Sequence, residues 1–408
     1  MLVLEIVFWL CCGLIVWTQL GYAAVLAAVA RVLPRPGRAP DEPTKRSRPG
    51  GGAHQNSTPP SLSLIVAAHD EEQVIAAKVA NALALDYPRE LLEVIVACDG
   101  CSDQTAARAS DAGADLVLEL PRGGKIRAQD AAVQRARGQI VAFSDANALW
   151  EPDAALALAG AFVDPRVGYA CGQVRYLPET SGSAGQARAG AGMADANQEG
   201  VYWRYELALR ALESRLSSIT GGNGAIYATR RDSYIVVDPI MGHDLSLPFN
   251  MVKRGLRAVY VPSAHSSEKM VPSLGGEFAR KRRMMSHTWP IVLRGGMLSP
   301  RGYPPGYALM IVSHRLLRYA TPWLHALALA ANVALVVIAG GGTQMLYIVT
   351  LALQIALLLG AALAGVLPAR PLLIARYYVL TTTSLVAGLW DWLRHGTDAH
   401  WEAAEGTR

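Results

Sequence analysis

Asp145 and Asn147 stand two residues apart, directly after the apolar run Ile140-Val141-Ala142-Phe143. A run of that length makes a buried strand, and residues i and i+2 share a face. The carboxylate and the amide would then project together from a strand end, where α/β sheets gather their ligands. Both offer oxygen donors to a hard cation such as Mg2+ or Mn2+, of the kind shared with substrate phosphates. An ordinary Asx turn would use the same two residues.

Four further signals stand along the same region: His69-Asp70-Glu71-Glu72, Asp99-Gly100-Cys101-Ser102-Asp103, Gly123-Gly124-Lys125 and Gly242-His243-Asp244. Each has a plain structural alternative. Asp-Gly and Gly-Gly are common turn dipeptides, Asp103 and Asp244 suit helix caps, and Lys125 suits a solvated helix face. A basic run such as Arg280–Arg283 often faces lipid. The information lies in their order along one chain.

The elements that must position them alternate. Leu62–Ala67, Leu92–Ala97, Asp115–Leu120 and the Ile140 run read as strands, with helices over Gln73–Leu85, Thr105–Ala112 and Ile126–Ala136 between them. That alternation predicts a mostly parallel sheet covered by helices on both faces. Val167–Arg175 and Gly255–Pro262 extend it, and Leu245–Met251 reads as helix. Glu179–Asn197, rich in Gly, Ala and Ser, reads as a mobile loop before a helix over Gly200–Arg210 with an aromatic face.

The 408 residues are 51% hydrophobic and 17% charged, with a mean hydropathy of +0.21. The apolar residues crowd into Leu2–Val32, Ile311–Ala339, Met345–Val366 and Leu372–Leu393. Each reaches the roughly 20 residues that span a bilayer. Leu2–Val32 lacks the basic start of a cleaved signal peptide. Arg31, Arg35, Arg38, Lys45, Arg46 and Arg48 follow it, which places that flank in the cytoplasm. Counting spans then puts the carboxyl terminus on the far side. His314, Arg315 and Arg318 suggest that the first carboxyl-terminal span opens at the interface, its cations reaching for water.

The five cysteines form neither a disulfide framework nor a paired zinc motif, and the net charge of +5 sits beside the apolar segments. That favours a membrane surface over nucleic acid. The expected layout is a transmembrane helix at 1–32 and a Pro/Gly-rich flexible linker at 33–60. A catalytic domain at 61–270 and interfacial amphipathic helices at 271–306 follow. About three transmembrane segments at 307–394 and a tail at 395–408 complete it.

On those ordered motifs, from about Leu62 to Trp289, the chain resembles membrane-bound family 2 glycosyltransferases with the GT-A fold. It is similar to the hyaluronan, poly-N-acetylglucosamine and cellulose synthase group and to ceramide glucosyltransferases. The resemblance implies an integral, multi-pass protein of the cell (inner) membrane with its catalytic domain in the cytoplasm. It implies a UDP-sugar donor and a lipid or glycan acceptor, and leaves open a homo-oligomer or export partner. Asp70 and Glu71 would stand near the base and ribose, Asp99 at the uracil edge, and Lys125 and Arg283 at the diphosphate. Asp145 and Asn147 occupy the family's D-x-D position and would hold Mg2+ or Mn2+. Asp244 matches the catalytic base. Gly222, Asn223 and Gly224 resemble the acceptor loop, with Trp203 a stacking surface for acceptor sugar or a core residue.

Chemistry supports those roles. Expelling a nucleoside diphosphate needs its charge stabilised, which a cation, Lys and Arg supply, and the acceptor hydroxyl needs a base. Direct displacement would invert the anomeric carbon. Three departures stand out: Asn147 in place of a second Asp, His243 before the base, and Met284 where the family's Q-x-x-R-W has Trp. They also suit a degenerate, nucleotide-sugar-binding subunit of an assembly complex, and a nucleotidyltransferase shares the same kind of Mg2+ site. The tail Trp401…Gly406-Thr407-Arg408 echoes a W-G-T-R element that acts on the cytosolic side, against the span count.

Overall fold

The structure, a computed structural model, describes residues 1–33, 58–177, 189–269, 274–367 and 369–399. The expected linker (apart from residues 33 and 58–60), the first part of the expected loop after Glu179 and the Trp401–Arg408 tail lie outside those residues. Eight strands form one sheet: β1 (Leu62–Ala68), β2 (Leu92–Asp99), β3 (Leu116–Leu120), β4 (Ile140–Asp145), β5 (Leu149–Trp150), β6 (Val167–Leu177), β7 (Ile226–Arg230) and β8 (Arg257–Lys269). Their order is β3-β2-β1-β4-β7-β6-β8-β5. The β3-β2-β1-β4 half is parallel, and β7 then pairs antiparallel with both β4 and β6.

The described helices are α1 (Leu2–Val32), α2 (Ile75–Leu83), α3 (Thr105–Asp111), α4 (Lys125–Arg135), α5 (Ala154–Ala161), α6 (Ala189–Leu216), α7 (His243–Lys253), α8 (Leu274–Leu293), α9 (Pro305–Ile338), α10 (Gly341–Leu363) and α11 (Arg370–His395). The parallel strands are apolar throughout because both sheet faces are covered. Leu62, Leu64 and Val94 meet Ala82 of α2 and Leu158 of α5 on one face. On the other, Ile65, Ile95 and Phe143 meet Ala128 and Ala132 of α4 and Leu247 of α7. Phe143 is fully buried, and truncating it to Ala would cost about 3–5 kcal/mol.

Helices α1, α9, α10 and α11 are long and apolar enough to cross a membrane. Leu20, Val337 and Leu353 point outward, as suits a helix bathed in lipid. Phe8 and Cys11 of α1 pack on Ala328, Ala331 and Leu335 of α9. Trp17 Nε1 donates to Ser313 Oγ at 3.0 Å, and Thr18 Oγ1 to Ser313 O at 3.0 Å. Both contacts fall where α1 and α9 widen into π-helical turns, Trp17–Gly21 and Ile311–Leu316.

Three expectations need correction. Residues 189–197, read as loop, begin the long helix α6. His314, Arg315 and Arg318 do not reach for water, because they meet Glu206, Glu213 and Thr220 in a buried cluster. The carboxyl terminus does not cross away from the catalytic domain. Trp289 Nε1 of α8 donates to Leu385 O of α11 at 2.9 Å, Arg282 pairs with Asp391 at 2.5 Å, and Ala399 packs on Gly124. Helix α11 therefore lies against α8 and returns the chain to the catalytic domain.

Candidate active site

Register alone assembles the site. In the parallel half, Ala67 of β1 stands level with Ala97 of β2 and Asp145 of β4. Asp99 and Asp145 thus end neighbouring strands on either side of β1, and the loops after all three converge at one sheet edge. The polar residues belong there because strand interiors buried on both faces cannot carry them.

The loop after β1 is tied to the loop after β2. His69 Nδ1 lies 2.8 Å from Asp99 O, and Asp70 Oδ1 accepts from Ser102 N at 2.8 Å. Glu71 N donates to Thr105 Oγ1 at 2.8 Å. Asp70 takes the left-handed backbone (φ 49°), unusual for a residue with a Cβ and a mark of functional positions. Asp99 differs from the base contact the resemblance implies. Its carboxylate, 1% exposed, accepts from Gly123 N at 2.6 Å and Gly124 N at 3.0 Å. It thereby holds the loop that delivers Lys125. Gly124 has φ +95°, and a Cβ there would collide with the Ala399 carbonyl.

Lys125 pairs with Asp145. Burial alone would lower its ammonium, but the Asp145 carboxylate, helped by Asp244 and Glu268, raises it. Asn147 sits half-buried one turn on. Helix α2 clamps this loop from behind. Lys78, fully buried, donates from Nζ to Ala148 O at 2.6 Å, and Asn81 exchanges two 2.9 Å bonds with the Trp150 backbone. Burial lowers the Lys78 ammonium to about 7 against the pull of Asp145 and Glu268.

Asp244 lies in the first turn of α7, its carbonyl accepting from Gly222 N at 2.6 Å. His243 points the other way, into the core. Its ring nitrogens meet Tyr227 OH at 2.8 Å and Tyr234 OH at 3.2 Å, and Tyr234 donates to Asp130 at 2.7 Å. Burial, then Lys125, push its imidazole down to about 3. A neutral, doubly bonded imidazole anchors the start of α7, so the departure from the family at His243 has a structural reason.

The acceptor-loop residues fall beside Asp244. Gly222 lies against Tyr169, whose hydroxyl a Cβ would strike, Asn223 caps its own turn, and Gly224 opens onto free space. Trp203 is half-buried, with Nε1 donating to Val174 O at 3.4 Å and Arg210 over its ring. On α8, Arg283 is exposed; burial lowers the His287 imidazole beside it, Arg283 adds to that, and Asp244 opposes it. Arg280, one turn earlier, acts on Glu268 instead.

Glu268 and Lys78 escaped the sequence reading. Glu268 lies beyond the expected end of its strand, and Lys78 looks like any helix-surface lysine until α2 is docked. A divalent cation fits the donor set: the Asp145 carboxylate, the Asn147 amide oxygen, and a buried carboxylate oxygen of Glu268 that has no hydrogen-bond partner among the described residues.

Residues 59–286 match the family described as "Glycosyltransferase like family 2". An N-acetylglucosaminyltransferase of Sinorhizobium fredii (strain NBRC 101917 / NGR234) is 26% identical over 64% of this chain and 64% of its own. One from Mesorhizobium japonicum (strain LMG 29417 / CECT 9101 / MAFF 303099) is 28% identical over 55% of this chain and 54% of its own. The match thus spans less than two thirds of those relatives. The mannosyltransferase PcManGT from Pyrobaculum calidifontis, solved with GDP-Man and Mn2+, superposes with a TM-score of 0.65 at 22% identity, over 95% of this chain and 99% of its own.

Proposed function

Because the chain belongs to glycosyltransferase family 2, we propose that it moves a sugar from a UDP-sugar to a hydroxyl of a membrane-held lipid or glycan, with inversion, at the cytoplasmic face. The observation that carries this reading is the Lys125–Asp145 ion pair at the end of β4, with the charge of Asp244 acting on the same lysine. The cytoplasmic side follows from the basic flank of α1.

Asp145 and Asn147 would hold Mg2+ or Mn2+, which when bound neutralises charge on the donor diphosphate. Lys125 adds a positive charge there, and Arg283 and Arg280 approach from α8. Asp70 and Glu71 shape the base and ribose pocket, with Asp99 acting through the Gly123–Lys125 loop. Gly222, Asn223 and Gly224 admit the acceptor beside Asp244, and Trp203 forms the wall behind. Asp244 takes the proton of the acceptor hydroxyl as its oxygen attacks the anomeric carbon. The bond from that carbon to the diphosphate oxygen breaks, and its electron pair leaves with UDP.

The test is release of the nucleoside diphosphate, UDP or GDP according to the donor, by the detergent-solubilised protein with membrane lipids as acceptors. UDP-N-acetylglucosamine comes first, since relatives are N-acetylglucosaminyltransferases, with GDP-mannose beside it. Release with one donor, abolished by EDTA and by Asp244→Asn, is expected. Binding without release would favour the degenerate subunit, and pyrophosphate release a nucleotidyltransferase.

A further inference from the structure

Asn147 supplies a neutral ligand where a second carboxylate would supply charge, and the fold brings one in from another strand. β5 and β8 run antiparallel with Leu149 opposite Ser267 and Trp150 opposite Ser266. Continuing that register sets Glu268 across from Ala148, the residue after Asn147. Glu268 also pairs with Tyr176 of β6, so its backbone is fixed on the other edge. It is a built position rather than a frayed end.

The side chain turns inward. Its Oε1 is closed off from solvent and meets no hydrogen-bond partner among the described residues. A buried carboxylate oxygen left without a partner costs about 1–3 kcal/mol or more, so its retention calls for a ligand. The charges it feels are those of the site: Asp145, Lys125, Arg280 and Lys78. The like charge of Asp145 adds to burial in disfavouring the ionised Glu268 carboxylate, and a cation bound by both residues would relieve it. Lys125 is already paired to Asp145, and Lys78 Nζ is spent on Ala148 O.

We infer that Glu268 is a third ligand of the divalent cation, supplied across the sheet from β8 to restore the charge that Asn147 lacks. The inference rests on the metal-dependent reading of Asp145. Three oxygen donors then come from the end of β4, the turn after it and β8, with the diphosphate and water left to complete the shell of a hard cation. Lys78, behind the loop, is a positioning residue that fixes the Asp145–Ala148 turn at the height Glu268 requires.

The experiment is direct Mn2+ binding, read by loss of the free-ion electron paramagnetic resonance signal, for the full-length protein with and without UDP. Wild type should bind one Mn2+, and Glu268→Gln should weaken it about 10- to 100-fold, with Asp145→Asn weaker still. Glu268→His separates ligand from counterion. A neutral imidazole can bind Mn2+ but cannot balance Lys78 or Lys125, so retained affinity with a nitrogen coupling on the Mn2+ signal supports ligation. Thermal unfolding without metal shows that each variant is folded, and Glu268→Asp, which keeps the carboxylate, stands in for Glu268→Gln if that fails. Affinity unchanged in folded Glu268→Gln, or lost in Glu268→His without any nitrogen coupling, overturns the inference and leaves the transferase reading standing. No Mn2+ binding by wild type, with or without UDP, overturns both.

Discussion

Two clusters of carboxylates and cations sit some distance apart in this chain, and they behave in opposite ways. At the junction between α6 and the first turns of α9, Glu213 is wholly buried. It accepts from Tyr22 OH at 2.8 Å, from Thr220 N at 3.0 Å, and lies 2.6 Å from His314 Nδ1. Glu206 meets His314 Nε2 at 3.2 Å and Arg318. Burial alone would raise both carboxyls, but Arg318 and His314 outweigh it at Glu206, and His314 at Glu213, so both are held below the usual range. At the sheet edge, Asp145 and Lys125 stay partly open to solvent and Glu268 keeps an oxygen without a hydrogen-bond partner among the described residues. In the first cluster the two carboxylates and the histidine between them are met by partners within the protein, and it works as a joint between the catalytic domain and the membrane helices. The second has capacity left over, which is what a ligand needs.

Breaking each cluster should therefore fail in a different measurement. At the open one, Asp145→Asn should cut turnover by about 10²- to 10³-fold or more with the melting temperature little changed, read by UDP release beside thermal unfolding. At the closed one, Glu213→Ala strands Tyr22, Thr220 and His314 in the interior. Removing one partner of a buried pair costs about 3–5 kcal/mol, so the loss should appear in unfolding of the detergent-solubilised protein, at any donor concentration. If the two variants exchanged phenotypes, the distinction between site and joint would be wrong.

A smaller effect tests the passage between the clusters. The Thr220–Gly222 segment touches both: Arg315 Nε donates to Thr220 Oγ1 at 3.0 Å, and Gly222 N to Asp244 O. Gly222→Ala would push a Cβ into the Tyr169 hydroxyl, which has no hydrogen-bond partner among the described residues. Overpacking of this kind costs about 1–3 kcal/mol, and here it should also disturb Asp244, the proposed base, through the Gly222 N–Asp244 O bond. Tyr169→Phe should be nearly neutral alone and should recover part of the lost stability and kcat in the double variant, because the hydroxyl is the nearest contact while the ring Cζ stays 2.8 Å from the new Cβ. Failure of that rescue would show that the glycine serves the acceptor rather than the packing.

The open cluster was largely legible in the sequence, the closed one was not, and the reason is physical. Asp145, Lys125 and Asp244 follow short apolar runs or glycines, and local pattern fixes where such loops fall. His314, Arg315 and Arg318 lie in an apolar segment, and their partners Glu206 and Glu213 come from a helix about a hundred residues earlier, so local pattern showed only the cations. Glu268 was missed for a related reason. The strand looked finished at Pro262 because polar residues follow, yet pairing with both β6 and β5 carries it to Lys269. Tertiary pairing overrides strand propensity in this way. Helix α6 likewise begins within a Gly- and Ala-rich stretch that carries no apolar stripe.

The smallest expected effect concerns the buried histidine on the site side. His243 has a folded pKa of about 3 against about 6.5 for an exposed imidazole. Between those values the unfolded chain binds a proton that the folded one refuses. Stability should then rise with pH from about 3 to about 6.5 and level off above, with a contribution of at most ~1.4 kcal/mol per pH unit from this residue. His243→Gln, which can still bond Tyr227 or Tyr234 but cannot titrate, should flatten the denaturant midpoint between pH 5 and pH 7. Its kcat profile over the same range should keep its shape, because the imidazole is neutral throughout and the proposed base is Asp244. A kcat profile that moved with His243→Gln would make the histidine part of the proton path, and the core-facing anchor and the solvent-facing base would no longer be separate things.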